Sequence, residues 1–516
     1  MKPYFLGIIE INVVPLARNS NKTYITMIVG NEIMSYEKDS FQSWIVLSVC
    51  FSSFVVIGAI TTPTFTILVP EIDEYFDFDT GDNEKVMDIA ILQNGTMLLL
   101  APLGCWLISK FGFHATCIIG CFIAAISILF STVSPTLVRM MILYGFISGI
   151  GLSMLETKVI ISCDLSFQKN RIIASSISRS GQYVGFVVFS YTYDIIKVEY
   201  GWKVCLYIST ALLLLVLIIE VLLTVFEYSI SKSERLSKAK EGDDFNEPLL
   251  TRHLTGNSMH YSEQDEHTSG NTGVIPDIAE TYSVNTEEVD ANNSTGIESV
   301  SSPTTFQQLR EITAYHYCFL FGNNGCVIWI LAAKFFGEGS LSTHSYILNN
   351  FLQSKGIAKG VSQMMIMMEN GLALLSCVIC GLIIHYNKNS KQITPINISS
   401  VGLLITGSVY FVMVFTSDSD ALTALCVISG LAKSTFLLFN SVLWFDIVPE
   451  ESYVLAIAYT QVFQGLGCVT FPFIIDAIFL ISKNAEVGVL VESVTAVICG
   501  LFLASGSYIA QVMNST

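Results

Sequence analysis

One apolar stretch in the first half of the chain carries side chains that can bind an anion. Residues 172–196 are long enough to cross a bilayer as a tilted helix, yet they contain Ser175, Ser178, Arg179 and Gln182. An arginine near the middle of a spanning helix costs about 2.5 to 3.5 kcal/mol, so it normally faces a bundle interior or a water-filled cavity. Because a guanidinium group can contact a carboxylate through two hydrogen bonds, Arg179 is the first candidate for a substrate-binding charge.

The polar residues of this stretch recur on one side of the predicted helix. Ser175, Ser178, Gln182 and Gly185 follow one another at spacings of three, four and three residues, which places them on one helical face. Gly181 and Gly185 remove side-chain bulk there, so another helix can approach closely. We therefore expect this face to lie inside a helical bundle, with the two glycines at a packing contact.

A second charged pair precedes this helix, at Glu156 and Lys158. One interpretation places both residues near the cytoplasmic end of their own helix, where long side chains reach water. The other places Glu156 inside the cavity, paired with Arg179, because an unpaired buried charge is costly. The sequence leaves both interpretations open.

Other polar residues in apolar stretches complete the set of candidates for substrate binding or translocation. They are Asn94, Asn323, Lys334, Lys433, Asn440 and Gln461. Lys433 is expected to face the cavity. Gln461 could equally form an interhelical hydrogen bond worth less than about 2 kcal/mol.

The composition indicates the scaffold that must position these residues. Of 516 residues, 52% are hydrophobic and 13% are charged, and apolar runs alternate with short polar turns. Lipid accepts only helices or closed barrels, so the chain is predicted to be an all-α integral membrane protein with 12 transmembrane helices. The predicted helices cover residues 44–69, 86–108, 115–131, 137–162, 172–196, 204–226, 314–336, 362–386, 396–415, 421–447, 453–475 and 487–512.

The helices fall into two groups of six. We expect an N-terminal cytoplasmic tail (1–42), a first six-helix bundle (43–226), a disordered cytoplasmic linker (227–313), a second six-helix bundle (314–512) and a short C-terminal tail (513–516). Four basic residues follow the sixth helix and place this end in the cytoplasm by the positive-inside rule. They are Lys232, Arg235, Lys238 and Lys240.

Several classes of function find no support in the sequence. The net charge of −17 and the lack of a basic domain argue against nucleic-acid binding. The 13 cysteines lie almost wholly in apolar helices and are expected to be core residues, and the few histidines form no cluster. We therefore expect no metal, no cofactor and no enzymatic activity.

The stretch around the fifth helix resembles a signature of the monocarboxylate transporter family, within the major facilitator superfamily. There, an aromatic and basic cluster precedes a small-residue helix, and Gly-Trp-Arg follows it. The matching positions here are Phe167, Lys169, Arg171, Ala174, Ser180, Gly181, Gly185, Gly201, Trp202 and Lys203. DSFQSW, with Asp39 and Trp44, resembles the signature before the first helix. Residues 109–114, with Lys110 and Gly112, resemble the loop between helices 2 and 3.

This resemblance implies the major facilitator 6+6 architecture and a secondary transporter working by alternating access. A small monocarboxylate is the implied solute, and an amino acid is the alternative; a third reading is a non-transporting sensor or partner protein that keeps the fold. Lys110, Gly112, Lys169 and Arg171 are the implied gating residues. The resemblance also implies a plasma-membrane location, cytoplasmic termini and, in some relatives, a single-span accessory subunit. The family's helix-8 acid and base align with Ala373 and Cys377.

Overall fold

A computed structural model gives the fold of the chain. It describes residues 24–29, 32–63, 83–134, 136–240, 326–387, 394–438, 452–482 and 484–513, with a few single positions between these ranges. Most of the predicted linker and the candidates Asn323 and Asn440 lie outside the described residues. Residues 1–226 and 311–516 form one unit and residues 227–310 another.

The described N-terminal segment contains a two-stranded antiparallel hairpin. Strand β1 (Tyr24–Val29) pairs with β2 (Glu32–Glu37) in the register Tyr24 to Glu37. The hairpin is not predicted from the sequence, in which this region is expected to be part of a tail.

Six long helices follow in the first half. They are α1 (Phe41–Pro63), α2 (Asn83–Leu99), α3 (Ala101–Ser131), α4 (Leu137–Ser166), α5 (Arg171–Tyr200) and α6 (Trp202–Lys240). Helix α3 breaks at Gly112, whose φ of 85° is accessible chiefly to glycine, so its first part continues the predicted second helix. Helix α4 contains a π-helical turn at Met141–Ile147.

Six more helices form the described part of the second half. They are α7 (Cys326–Ser354), α8 (Lys359–Tyr386), α9 (Pro395–Phe415), α10 (Ser419–Leu438), α11 (Tyr453–Ser482) and α12 (Ala485–Met513). Among the described residues, eight helices are long and apolar enough to cross a membrane: α1, α3, α4, α6, α8, α9, α11 and α12.

The seventh helix differs most from its predicted bounds. It runs to Ser354, whereas the prediction ended it at residue 336. The continuation contains Gly337 and Gly339, where a Cβ atom would meet the rings of Phe436 and Phe471. These two glycines therefore allow α10 and α11 to pack closely against α7, and they do not end the helix.

Small residues bring α1 and α5 into backbone contact. A Cβ atom on Gly185 would meet the carbonyl group of Val55 and, at 2.9 Å, the amide nitrogen of Ala59. One on Gly181 would meet the carbonyl oxygen of Phe51. The glycines thus allow the close approach that holds α5, with Arg179, against α1.

Candidate functional site

A cavity of about 150 Å³ lies between the two groups of helices. Its wall is formed by eight of the described helices: α1, α2, α4, α5, α7, α8, α10 and α11. The lining residues are Thr61, Asn94, Met97, Leu98, Glu156, Arg179, Gln182, Tyr183, Phe186, Glu338, Leu341, Ser342, His344, Asn370, Lys433, Gln464 and Cys468.

Arg179 and Glu156 face each other in the wall of this cavity. Nη1 of Arg179 lies 3.9 Å from Oε1 of Glu156, and both side chains are more than nine-tenths buried. The guanidinium group also lies over the ring of Phe54, at 5.1 Å from the centroid. Among the described residues, Nη2 of Arg179 and Oε2 of Glu156 have no hydrogen-bond partner. The pair is therefore close enough to attract but leaves one donor and one acceptor unused.

The other predicted candidates divide into two groups. Asn94, Gln182 and Lys433 line the cavity. Lys334 is not among the lining residues: its Nζ lies over the ring of Phe436 at 4.1 Å and donates to the carbonyl group of the same residue. Gln461 is buried and accepts a hydrogen bond from Thr157 at 3.4 Å, which is the interhelical role left open above.

Glu338 is a cavity residue that the sequence analysis did not select. Its carboxylate accepts a hydrogen bond from Nε2 of Gln464 at 2.9 Å, and both residues line the cavity. The prediction ended helix 7 at residue 336 and so placed Glu338 in a loop. The signal in the sequence that could have identified Glu338 is its position, only two residues beyond the end of a predicted membrane helix.

A buried polar cluster adjoins the cavity on the side of the second half. Glu369 on α8 contacts Nζ of Lys433 at 2.9 Å, the hydroxyl group of Ser429 at 2.8 Å and Nε2 of His344 at 3.0 Å. Nδ1 of His344 lies 3.0 Å from Glu492 on α12. Glu369 lies inside a predicted membrane helix, where an ionisable residue indicates a functional site by default, but it is not among the candidates named from the sequence.

Lys158 does not reach the membrane surface. Its side chain is 2% exposed, and Nζ lies 2.7 Å from Oε1 of Glu220 on α6. Nδ1 of His114 contacts the same carboxylate oxygen at 2.8 Å. The interpretation that Glu156 and Lys158 are both solvated is therefore wrong: Lys158 belongs to an ion pair inside the first half, whereas Glu156 faces the cavity.

The loop between α4 and α5 is fixed by a residue that precedes α1. The carboxylate of Asp39 accepts hydrogen bonds from the backbone N–H groups of residues 168, 169 and 170, at 3.1, 2.9 and 3.1 Å. The rings of Trp44 and Phe167 meet edge to face at 5.3 Å. The stretch before α1, with Asp39 and Trp44, thus contacts the stretch before α5, and both stretches resemble signatures of the transporter family.

The four predicted gating residues lie at the same end of the helices. Nε of Arg171 donates to the backbone carbonyl groups of Asp164 and Phe167, both at 2.9 Å. The side chains of Lys169 and Lys110 are exposed, and Gly112 is the break in α3. Arg171 therefore closes the turn between α4 and α5.

A buried hydrogen bond between two side chains joins the two halves at this end. The hydroxyl group of Tyr453 on α11 donates to Oδ2 of Asp164 on α4 at 2.5 Å, and the hydroxyl group of Ser175 donates to Oδ1. Both Asp164 and Tyr453 are buried. Nε of Arg171 donates to the backbone carbonyl group of the same Asp164, so the two halves meet beside this predicted gating residue.

Comparison with known proteins agrees with this architecture. The sequence matches the profile of the Major Facilitator Superfamily over residues 49–472. The chain belongs to this superfamily. The expected fold class and the multi-pass membrane character are thereby confirmed, and this superfamily consists of transporters and not of enzymes, as expected. The structure is also similar to the proton:xylose symporter XylE, with a TM-score of 0.60 and 14% identity, over 90% of this chain and 95% of that one.

Similar sequences include several monocarboxylate transporters. Monocarboxylate transporter 9 of Gallus gallus is 28% identical over 204 residues, which are 39% of each chain. Monocarboxylate transporter 12-B of Danio rerio is 22% identical over 165 residues, 32% of this chain and 34% of that one. The chain thus aligns with about a third of the length of these curated relatives, and the resemblance to their family is confirmed.

Proposed function

We propose that this superfamily member is a secondary transporter that carries a small organic solute with one carboxylate group. Its two groups of helices would alternate between access to either side of the membrane, with the solute held in the central cavity. Arg179 would contact the carboxylate, with Gln182 and Asn94 beside it in the same wall. The unused Nη2 donor of a deeply buried arginine is the observation that carries this proposal.

The similar monocarboxylate transporters support a monocarboxylate as the solute, and the acidic groups in the cavity support an amino acid as the second candidate. A non-transporting sensor is the third candidate and predicts no flux. Lys433 is a weaker candidate than Arg179 for the anion contact, because its ammonium group already contacts Glu369. We propose the plasma membrane as the location, with both termini in the cytoplasm. A single-span accessory subunit is a possible partner that the family resemblance implies.

Uptake in oocytes tests the proposal. Saturable uptake of labelled lactate, pyruvate or members of an amino-acid panel is expected for the unmodified chain, and its loss in Arg179→Ala at equal surface level. Arg139→Ala is the matched control, since Arg139 is exposed at the start of α4, and it should keep full uptake. Unchanged uptake in Arg179→Ala would overturn the role of Arg179. No uptake of any carboxylate solute despite surface delivery would favour the non-transporting sensor.

A further inference from the structure

The charges that face the cavity are unequal once existing ion pairs are counted. The basic residues that line it are Arg179, Lys433 and His344, and the acidic ones are Glu156 and Glu338. Lys433 and His344 both contact Glu369, at 2.9 and 3.0 Å, so each already has an acidic partner. Arg179 is then left to face the two acidic groups of the lining. A solute with only a carboxylate would bring a further acidic group to a wall that already holds two.

The geometry of the Arg179–Glu156 pair shows what a ligand could offer. The two charged groups approach no closer than 3.9 Å, which is longer than a hydrogen bond. The second atoms of the two groups, Nη2 of Arg179 and Oε2 of Glu156, are buried and unpartnered among the described residues. Leaving such atoms unsatisfied costs free energy, so a ligand that supplies an acceptor and a donor side by side gains from both.

We propose that the transported solute is a zwitterion of the α-amino-acid class, whose carboxylate contacts Arg179 and whose ammonium group contacts Glu156. This inference rests on the proposed function and narrows it. Adjacent opposite charges on the solute match adjacent opposite charges in the wall, and the zwitterion adds no net charge to the cavity. Glu338, held by Gln464 at 2.9 Å, is the second acidic group facing the same space.

Binding to the purified full-length protein separates the two proposals. The probes form two series that share a skeleton: L-alanine, L-lactate and L-alaninol, and L-leucine, 2-hydroxy-4-methylpentanoate and L-leucinol. In each series, the amino acid carries both charges, the hydroxy acid carries only the carboxylate, and the amino alcohol carries only the ammonium group. Ligand-induced shifts of the thermal unfolding midpoint over a concentration series give the apparent Kd of each probe.

In at least one series, we expect the amino acid to bind about tenfold or more tightly than either partner, because a site built for a polar group rejects an analogue that lacks it. Glu156→Gln should abolish the preference over the hydroxy acid. Glu199→Gln, an exposed acid on the same helix as Arg179, is the matched control and should retain it. If Glu156→Gln does not yield folded protein, Glu338→Gln and Glu156→Asp take its place, and each should reduce the preference.

The contrary outcomes are distinct. If the hydroxy acid binds the unmodified protein as tightly as the amino acid, the proposal of a zwitterionic solute is wrong, and the proposal of a solute with a carboxylate group stands. If Glu156→Gln, or both replacement variants, keep the full preference, the assignment of the ammonium contact is overturned. If no carboxylate probe binds in either series, both this inference and the proposed function fail.

Discussion

Oε1 of Glu369 on α8 lies 2.9 Å from Nζ of Lys433 on α10. The carboxylate is completely buried, and the lysine side chain is 6% exposed. His344, Ser429 and Tyr410 also contact Glu369. The pair joins two helices of the second half, and it holds in place Lys433, a candidate from the sequence that lines the cavity.

Removing one partner of this buried pair should be costly. Lys433→Met leaves Glu369 without its closest cation, and we expect a loss of about 3 to 5 kcal/mol in the free energy of unfolding. Lys433→Met with Glu369→Gln should recover part of this loss, because no uncompensated charge remains. Chemical denaturation in mixed micelles measures each variant.

The matched control for this comparison is a lysine–glutamate contact at the rim of the helices. Lys355 and Glu486 lie 2.7 Å apart, but the side chain of Glu486 is 38% exposed. Water and salt screen such a pair, so Lys355→Met should have a much smaller effect. Equal losses for Lys433→Met and Lys355→Met would contradict the assignment of Lys433 to a buried ion pair.

The sequence predicted the helices and part of the cavity because both depend on local features. A polar residue inside an apolar stretch is visible at once, which identified Arg179, Gln182 and Lys433. Lys158 shows the limit, since burial beside Glu220 depends on the packing of α4 against α6 and not on local pattern. The extension of α7 past Gly337 was missed for the same reason: the rings that fill the space beside that glycine come from distant helices.

Asp39 should contribute to stability through the start of α5. Its carboxylate accepts three backbone hydrogen bonds from residues 168–170, which directly precede α5, and so holds the loop that leads into the helix. Asp39→Ala should therefore lower stability by about 0.5 to 1.5 kcal/mol, the usual net contribution of a hydrogen bond. The apparent melting temperature in detergent reports the change. Lys169→Ala, in the same loop but with an exposed side chain, serves as the control; a larger loss for it would argue against a role for Asp39 in holding the loop.

Gly185 should tolerate no added methyl group. A Cβ atom there would meet the backbone of Val55 and Ala59, and backbone cannot move aside as a flexible side chain does. Gly185→Ala should therefore cost about 1 to 3 kcal/mol through overpacking. Gly371→Ala is the matched control, since a Cβ at this helical position meets nothing within 4 Å. The melting temperatures of the two variants should move apart, with Gly371→Ala unchanged or slightly raised. Parallel losses would mean that helix propensity, and not the α1–α5 contact, governs both positions.

The Tyr453–Asp164 hydrogen bond should hold one end of the molecule closed. It joins α11 to α4 across the two halves, and a hydrogen bond to a charged group contributes about 1.5 to 3 kcal/mol. Tyr453→Phe removes it with little change in shape, so conformations in which the halves separate at this end should become about 10 to 100 times more populated. The measurement is the labelling rate of a cysteine introduced by Ser176→Cys, located by mass spectrometry among the native cysteines. Ser176 is 1% exposed and packs against Gly381 of α8, so its access to a thiol reagent requires the halves to part.

Tyr193→Phe provides the control for this experiment. Its hydroxyl group bonds Ser209 at 2.8 Å, and both residues belong to the first half. This variant also loses one buried tyrosine hydrogen bond, but it leaves the contact between the halves intact. Faster labelling in Tyr453→Phe alone is the expected result, because of these two tyrosine hydrogen bonds only that of Tyr453 joins the halves. If Tyr193→Phe accelerates labelling as much, the reagent reaches Ser176→Cys through general loosening, and Tyr453 has no specific role in closure.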